Sequence, residues 1–201
     1  MEALPWSKIH GKRDICWSWD NLSLSLFVYK TAWSGQADEV TQFIHAFKAS
    51  KDHECFKASI FEVYDAAGES IKDWKQEYNY NCRYVVPVPS SRAHEISAFS
   101  KDMCSFIAST FHLEYPDRLL SREHSVLPSH MANYWQRLSV KEQYDSLGCR
   151  DTNLAGAGII LFDDVRNTGN TSDACRRRLR DNTKCGDVVR LFLARTQAEC
   201  E

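Results

Sequence analysis

Polar and apolar residues alternate through 22–29. Leu22, Leu24, Leu26 and Val28 fall on one side, and Ser23, Ser25, Phe27 and Tyr29 on the other, which predicts a half-buried strand. The period then changes. Val40, Phe43, Ile44 and Phe47 recur at helical spacing within 39–48. Phe56, Ile60, Val63, Tyr64, Ile71 and Trp74 form the apolar stripe of a second helix over 54–77, which Gly68 interrupts. Residues 84–89 read as a short apolar strand closed by Pro87 and Pro89, followed at helical spacing by Ile96, Phe99, Met103, Phe106 and Ile107. Residues 158–162 are a continuous apolar run bounded by acids, as expected of a strand buried on both faces. A helix over 171–180 and another buried strand over 188–193 complete the series.

Strand, helix, buried strand, helix, buried strand predicts an α/β domain built on a parallel sheet. The segment 115–149 is polar and dotted with Arg118, Arg122, His124, His130 and Arg137. A mobile lid beside the ligand edge and a surface helix pair both fit its composition. His124 and His130 fit surface or packing positions better than catalytic ones. No internal repeat or low-complexity tract is present.

Composition narrows the picture. A chain of 201 residues with 43% hydrophobic and 12% aromatic residues is long enough and apolar enough to bury a real core. A net charge of −2 provides no global basic field for nucleic acid. The run Arg176-Arg177-Arg178 reads as a solvated helix face, with nucleic-acid contact the minority alternative. No stretch approaches the ~20 apolar residues that span a bilayer, and residues 1–19 lack an apolar signal region, so the expected location is cytoplasmic. The eight cysteines form no Cys-x-x-Cys pair, and free thiols are expected.

The chemistry concentrates at 159–171. A buried strand ends in Asp163 and Asp164, and a small polar loop, Thr168-Gly169-Asn170-Thr171, opens a helix. Ligands of open α/β sheets bind beyond the carboxyl ends of the strands. Orphan N–H groups and the helix dipole favour an anion at such a loop, and Gly169 permits close backbone approach. The two carboxylates suit vicinal ribose hydroxyls. A helix-terminal charge pair or a metal-ligand pair are the alternatives for the acids, and simple termination of an edge strand is the alternative for Pro87 and Pro89.

This stretch resembles the signature of type I phosphoribosyltransferases, in which a hydrophobic strand and two acids precede a Thr-Gly-x-Thr loop. Residues 84–92 resemble the family's pyrophosphate loop in the Pro-Val-Pro form of ComF-type proteins, and Leu191-Phe192-Leu193-Ala194-Arg195-Thr196 resembles the ComF-type last strand. Arg166, Asn167 and Asn170 depart from the usual residues, and the ComF zinc-binding N-terminus is absent. The resemblance implies a Rossmann-like parallel core, 36–201, with a small hood or lid from residues 1–35, from 115–149, or from both. It implies that 5-phosphoribosyl 1-pyrophosphate (PRPP) binds with Mg²⁺, which would reach Asp163 and Asp164 through ribose hydroxyls or water. Thr168, Gly169, Asn170 and Thr171 would hold the 5-phosphate and Asp163 and Asp164 the ribose. Val88, Pro89, Ser90, Ser91 and Arg92 would hold the pyrophosphate through backbone N–H groups and the Arg92 charge. Arg122 and Arg137 would close over the site during transfer to a base or amine. A non-catalytic PRPP or nucleotide sensor, and a ComF-like accessory in DNA processing, are the other functions it implies. A homo-oligomer or a protein partner is also expected, and no membrane.

Overall fold

The computed structural model describes residues 16–18, 23–29, 41–42, 82–128 and 136–196. Along these residues run β1 (Cys16–Ser18), β2 (Ser23–Tyr29), β3 (Cys82–Pro87), α1 (Ala98–Phe111), β4 (Leu120–Arg122), α2 (Val140–Asp145), β5 (Leu147–Cys149), β6 (Gly158–Arg166), α3 (Asn170–Thr183) and β7 (Val188–Thr196). Thr41 and Gln42 are helical, as expected for 39–48; the rest of that helix and all of 54–77 lie outside the described residues.

The main sheet has the order β1-β2-β7-β6-β3. β2, β7, β6 and β3 are mutually parallel, and β1 adds antiparallel to β2. The mixed α/β class and the parallel core therefore stand as expected, in an arrangement compatible with a Rossmann-like fold. The described strands of the N-terminal region belong to the sheet: β2 pairs with β7 from Ser23↔Arg190 to Tyr29↔Thr196.

The continuous apolar run of β6 turns apolar side chains to both faces of the sheet, and helices cover both. Ile159 and Leu161 pack with Val188, Ala174, Cys175 and Leu179 on the α3 side. Phe162 meets Phe99 of α1 edge-on, ring centroids 5.8 Å apart, on the other. Ser97 caps α1 by accepting the Ser100 N–H at 3.0 Å.

Over its described residues, 115–149 is neither a surface helix pair nor a lid set apart from the core. β4 and β5 form an antiparallel ladder, Leu120↔Cys149 to Arg122↔Leu147. Leu119, Leu120 and Leu147 are buried in the same cluster as Ile159 and Leu161. Between them, α2 carries a capping box at Ser139 and Glu142. Arg178 of α3 secures this unit: it donates to the Leu147 carbonyl through Nε at 2.9 Å and Nη2 at 2.5 Å and lies 4.3 Å from the Tyr144 ring centre. Of the arginine run, only Arg177 has the exposure of a solvated face. Among the described residues no helix is long and apolar enough to cross a membrane.

Candidate functional site

Because β3, β6 and β7 are parallel, their carboxyl ends share one edge of the sheet, and the loops after β3 and β6 emerge there side by side. The Val88 N–H donates to Phe162 O at 2.8 Å, continuing the β3–β6 ladder into the first of these loops.

β6 runs four residues further than the apolar run suggested. Asp163 pairs with Phe192 and Arg166 with Arg195, so the strand carries both acids and continues past them to Arg166. Successive strand residues face opposite sides. Asp163 follows Ile159 and Leu161 onto the α3 face, where its charge acts on Arg122. Asp164 follows Phe162 towards the α1 side. Each carboxylate also accepts the next amide, Asp164 N–H to Asp163 Oδ1 at 2.9 Å and Val165 N–H to Asp164 Oδ1 at 2.6 Å. The two acids therefore start from opposite faces of β6, and Asp163 is the one on the α3 side.

That loop starts α3 at Gly169, whose φ of 78° and ψ of −6° are left-handed. No side chain caps the helix. The Asp173 N–H makes the first helical bond, to Gly169 O at 2.9 Å, and the Asn170 N–H leans on Thr168 Oγ1 at 3.4 Å. The Thr171 and Ser172 amides are thus orphan donors of the first turn. Two guanidiniums lie against the loop: a Cβ on Gly169 would sit 3.5 Å from Arg166 Nε and 3.9 Å from Arg190 Nη1. Arg166 donates to Ser23 Oγ at 3.0 Å and lies over the Phe192 ring. Arg190, buried on β7, donates to Asp173 Oδ1 at 2.5 Å. Sequence reasoning treated Arg166 only as a departure and did not single out Arg190. The signal for Arg190 was a lone charge inside the buried run 188–193, which needs a partner to be tolerated there.

The loop after β3 differs from its expected use. Pro89 has no N–H. The Ser90 amide donates to Glu95 O at 3.0 Å and the Arg92 amide to Ser90 Oγ at 3.2 Å. With Val88 also committed, only the Ser91 amide remains open among the five residues. Arg92 is exposed, with Glu95 Oε2 3.7 Å from its guanidinium.

Arg122 and Arg137 part ways. Arg122 is 1% exposed and donates to Ser90 O at 2.8 Å, Gln143 Oε1 at 3.0 Å and Ser146 Oγ. Burial lowers its pKa, with the charge at Asp163 opposing that shift. It lies beneath the β3 loop, with its donors committed to the protein. Arg137 is half-buried and adjoins Leu138, whose carbonyl accepts from Asn170 Nδ2 at 2.9 Å, so its segment is tied to the 168–171 loop. His124 is exposed, and His130 lies outside the described residues.

No group of three or more His, Cys, Asp or Glu among the described residues could hold a metal. The donor set fits Mg²⁺ only as an ion carried on ligand oxygens and water, the usual manner of Mg²⁺ beside polyphosphates. Cys82, Cys104, Cys149, Cys175 and Cys185 are free thiols. No family model matches the chain, and no curated protein matches it.

Proposed function

We propose that this chain is a phosphoribosyltransferase of the type I fold, binding PRPP at the carboxyl edge of its sheet and transferring ribose 5-phosphate to a nitrogen nucleophile with release of pyrophosphate. The observation that carries this reading is the start of α3: an uncapped helix with open Thr171 and Ser172 amides, a left-handed Gly169, and Arg166 and Arg190 against the loop. Amide donors, helix dipole and guanidinium charge all favour a phosphate there.

In this reading Thr168, Gly169, Asn170 and Thr171 receive the 5-phosphate, and Asp163 accepts from a ribose hydroxyl. The β3 loop and Arg92 face the pyrophosphate, and Arg137, beside the phosphate loop, adds charge. During transfer the anomeric C–O bond to pyrophosphate breaks, a C–N bond forms, and the nucleophile gives up a proton. The chain's part is to hold both ends of the donor and to stabilise the developing charge separation. Mg²⁺, carried on the pyrophosphate, would neutralise the leaving group.

A second reading, a PRPP-binding sensor without turnover, is favoured by the β3 loop, where most amides are spent within the protein and Arg92 faces Glu95. One experiment separates the two. The protein is incubated with Mg²⁺-PRPP and a panel of nucleobases and amines, and pyrophosphate is scored. Release with at least one acceptor supports the enzyme. PRPP binding by calorimetry with no release supports the sensor, and no binding at all ends both.

A further inference from the structure

The β3 loop is held by a second segment of chain, 122–126. The His94 N–H donates to Arg122 O and the Val126 N–H to Ser91 O, both at 2.8 Å, and the Ala93 N–H donates to Ser125 Oγ at 3.0 Å. The Glu95 N–H reaches Arg92 O at 3.4 Å. Across 88–95, Ser91 therefore has the one amide N–H that no described residue accepts.

Its direction follows from its peptide unit. The Ser90 carbonyl and the Ser91 N–H belong to the same planar group, and no cis peptide occurs among the described residues. In a trans peptide the C=O and N–H point in opposite directions. Arg122 Nε, almost wholly buried, draws the Ser90 carbonyl inward at 2.8 Å, so the Ser91 N–H is turned outward. The next carbonyl, Ser91 O, is held by Val126, so both peptide planes flanking Ser91 are pinned. Arg122 is itself fixed by Gln143 and Ser146, which leaves its Nε little freedom.

We propose that Arg122 is a positioning residue: by holding the Ser90 carbonyl it aims the Ser91 amide, the open donor of this loop, at the diphosphate that the proposed function places there. This rests on the phosphoribosyl reading above. Pre-orientation matters because a donor already aimed at the anion needs no reorganisation on binding.

The test uses the full chain, labelled with ¹⁵N and titrated with Mg²⁺-pyrophosphate and, separately, with ribose 5-phosphate. Pyrophosphate is expected to move the Ser91 amide proton downfield, more than any other amide of 88–95, and ribose 5-phosphate to leave it in place. Arg122→Lys keeps the charge but lacks the fixed fork that places separate Nε and Nη1 donors on Ser90 O and on Gln143 and Ser146. It is expected to weaken pyrophosphate binding about tenfold, the scale of one hydrogen bond to a charged group, and to leave ribose 5-phosphate affinity unchanged. Gln143→Met, which frees one side of the guanidinium, is expected to give a smaller loss of the same kind. If the wild type binds neither ligand, the phosphoribosyl reading fails and takes this proposal with it. If ribose 5-phosphate binds but pyrophosphate does not, or pyrophosphate binds with the Ser91 amide unmoved, the proposal alone is overturned. The same holds if Arg122→Lys matches the wild type in affinity and shift. Should Arg122→Lys not fold, the wild-type shift pattern and Gln143→Met decide.

Discussion

Arg190 and Asp173 join the sheet to the first turn of α3: the guanidinium, 1% exposed on β7, donates to a carboxylate that is 36% exposed. Breaking such a pair leaves a charge buried without its counter-ion, which costs far more than the pair contributes when intact. Asp173→Ala is therefore expected to destabilise the protein by about 2 kcal/mol or more, near the lower end for buried pairs because water reaches the Asp173 side. Urea denaturation measures this. Adding Arg190→Met should recover part of the loss, and a double variant worse than the sum of the single ones would contradict the pairing.

The two acids of β6 are expected to behave unequally. Asp163 shares a face with Arg122 and α3, and Asp164 is turned towards the α1 side. Asp163→Asn removes a charge-assisted acceptor and should weaken PRPP binding about ten- to a hundredfold, from roughly 1.5–3 kcal/mol for such a bond. Asp164→Asn should cost much less. Calorimetry on the folded variants decides, and equal losses would restore the joint clamp.

The legible parts of this chain were those whose chemistry is local. The apolar run at 158–162 marked β6, the run at 188–193 marked β7, and Thr168-Gly169 marked the start of α3. The end of β6 was not legible. Asp163, Asp164 and Arg166 have the polarity of a loop, yet the ladder to Phe192, Ala194 and Arg195 on β7 holds them in the strand. Pairing of that kind depends on a partner 29 positions away, from Asp163 to Phe192, which no local pattern reveals. Residues 115–149 were hard to read for a related reason. Leu119, Leu120 and Leu147 are too few to show a period, yet they are buried once β4 pairs with β5. The burial of Arg122 was not legible, since its acceptors are a loop carbonyl 32 positions away and two later side chains, Gln143 and Ser146.

Gly169 is required by its backbone. At a φ of 78°, alanine occupies a region that costs an L-residue about 1–2 kcal/mol, while its Cβ meets Arg166 Nε at only an ordinary contact distance of 3.5 Å. Gly169→Ala is expected to lower stability by that amount and to weaken phosphate binding through displacement of the Thr171 and Ser172 amides. Thermal denaturation with and without phosphate reads both effects. Unchanged stability would mean that the loop does not hold the left-handed turn.

The thiols make the protein sensitive to alkaline pH. Burial pushes Cys149 from 9.0 to about 11, and it pushes Cys104, Cys175 and Cys185 up as well. A group raised in the folded state contributes stability that is fully present below its unfolded pKa. That stability is lost as pH rises through the folded value, because the unfolded chain gives up its proton first. The thiol contribution to stability is thus expected to hold through neutral pH and to decline between pH 9 and 11 for Cys149. Alkylation at pH 8 should be slow at Cys149 and Cys185 and nearly absent at Cys104 and Cys175 until the protein unfolds. Rapid labelling of Cys175 in the native protein would contradict this.

Asn170 ties the segment of Arg137 to the 168–171 loop through the 2.9 Å bond from its Nδ2 to the Leu138 carbonyl. Of the two arginines expected to close over the site, Arg122 is committed beneath the β3 loop, which leaves Arg137 to add charge to the ligand in the proposed reading. A residue whose contact strengthens as charge develops affects kcat more than ground-state affinity. Arg137→Gln is accordingly expected to lower kcat by about tenfold or more, with PRPP affinity changed by no more than about threefold. Asn170→Ala should cost about 0.5–1.5 kcal/mol of stability and reproduce part of the kcat loss by loosening the same segment. The checks are kcat from pyrophosphate release, PRPP affinity from calorimetry and stability from urea denaturation, each on both variants. Equal losses of affinity and turnover in Arg137→Gln would make Arg137 a simple binding residue, and no change in either would remove it from the site.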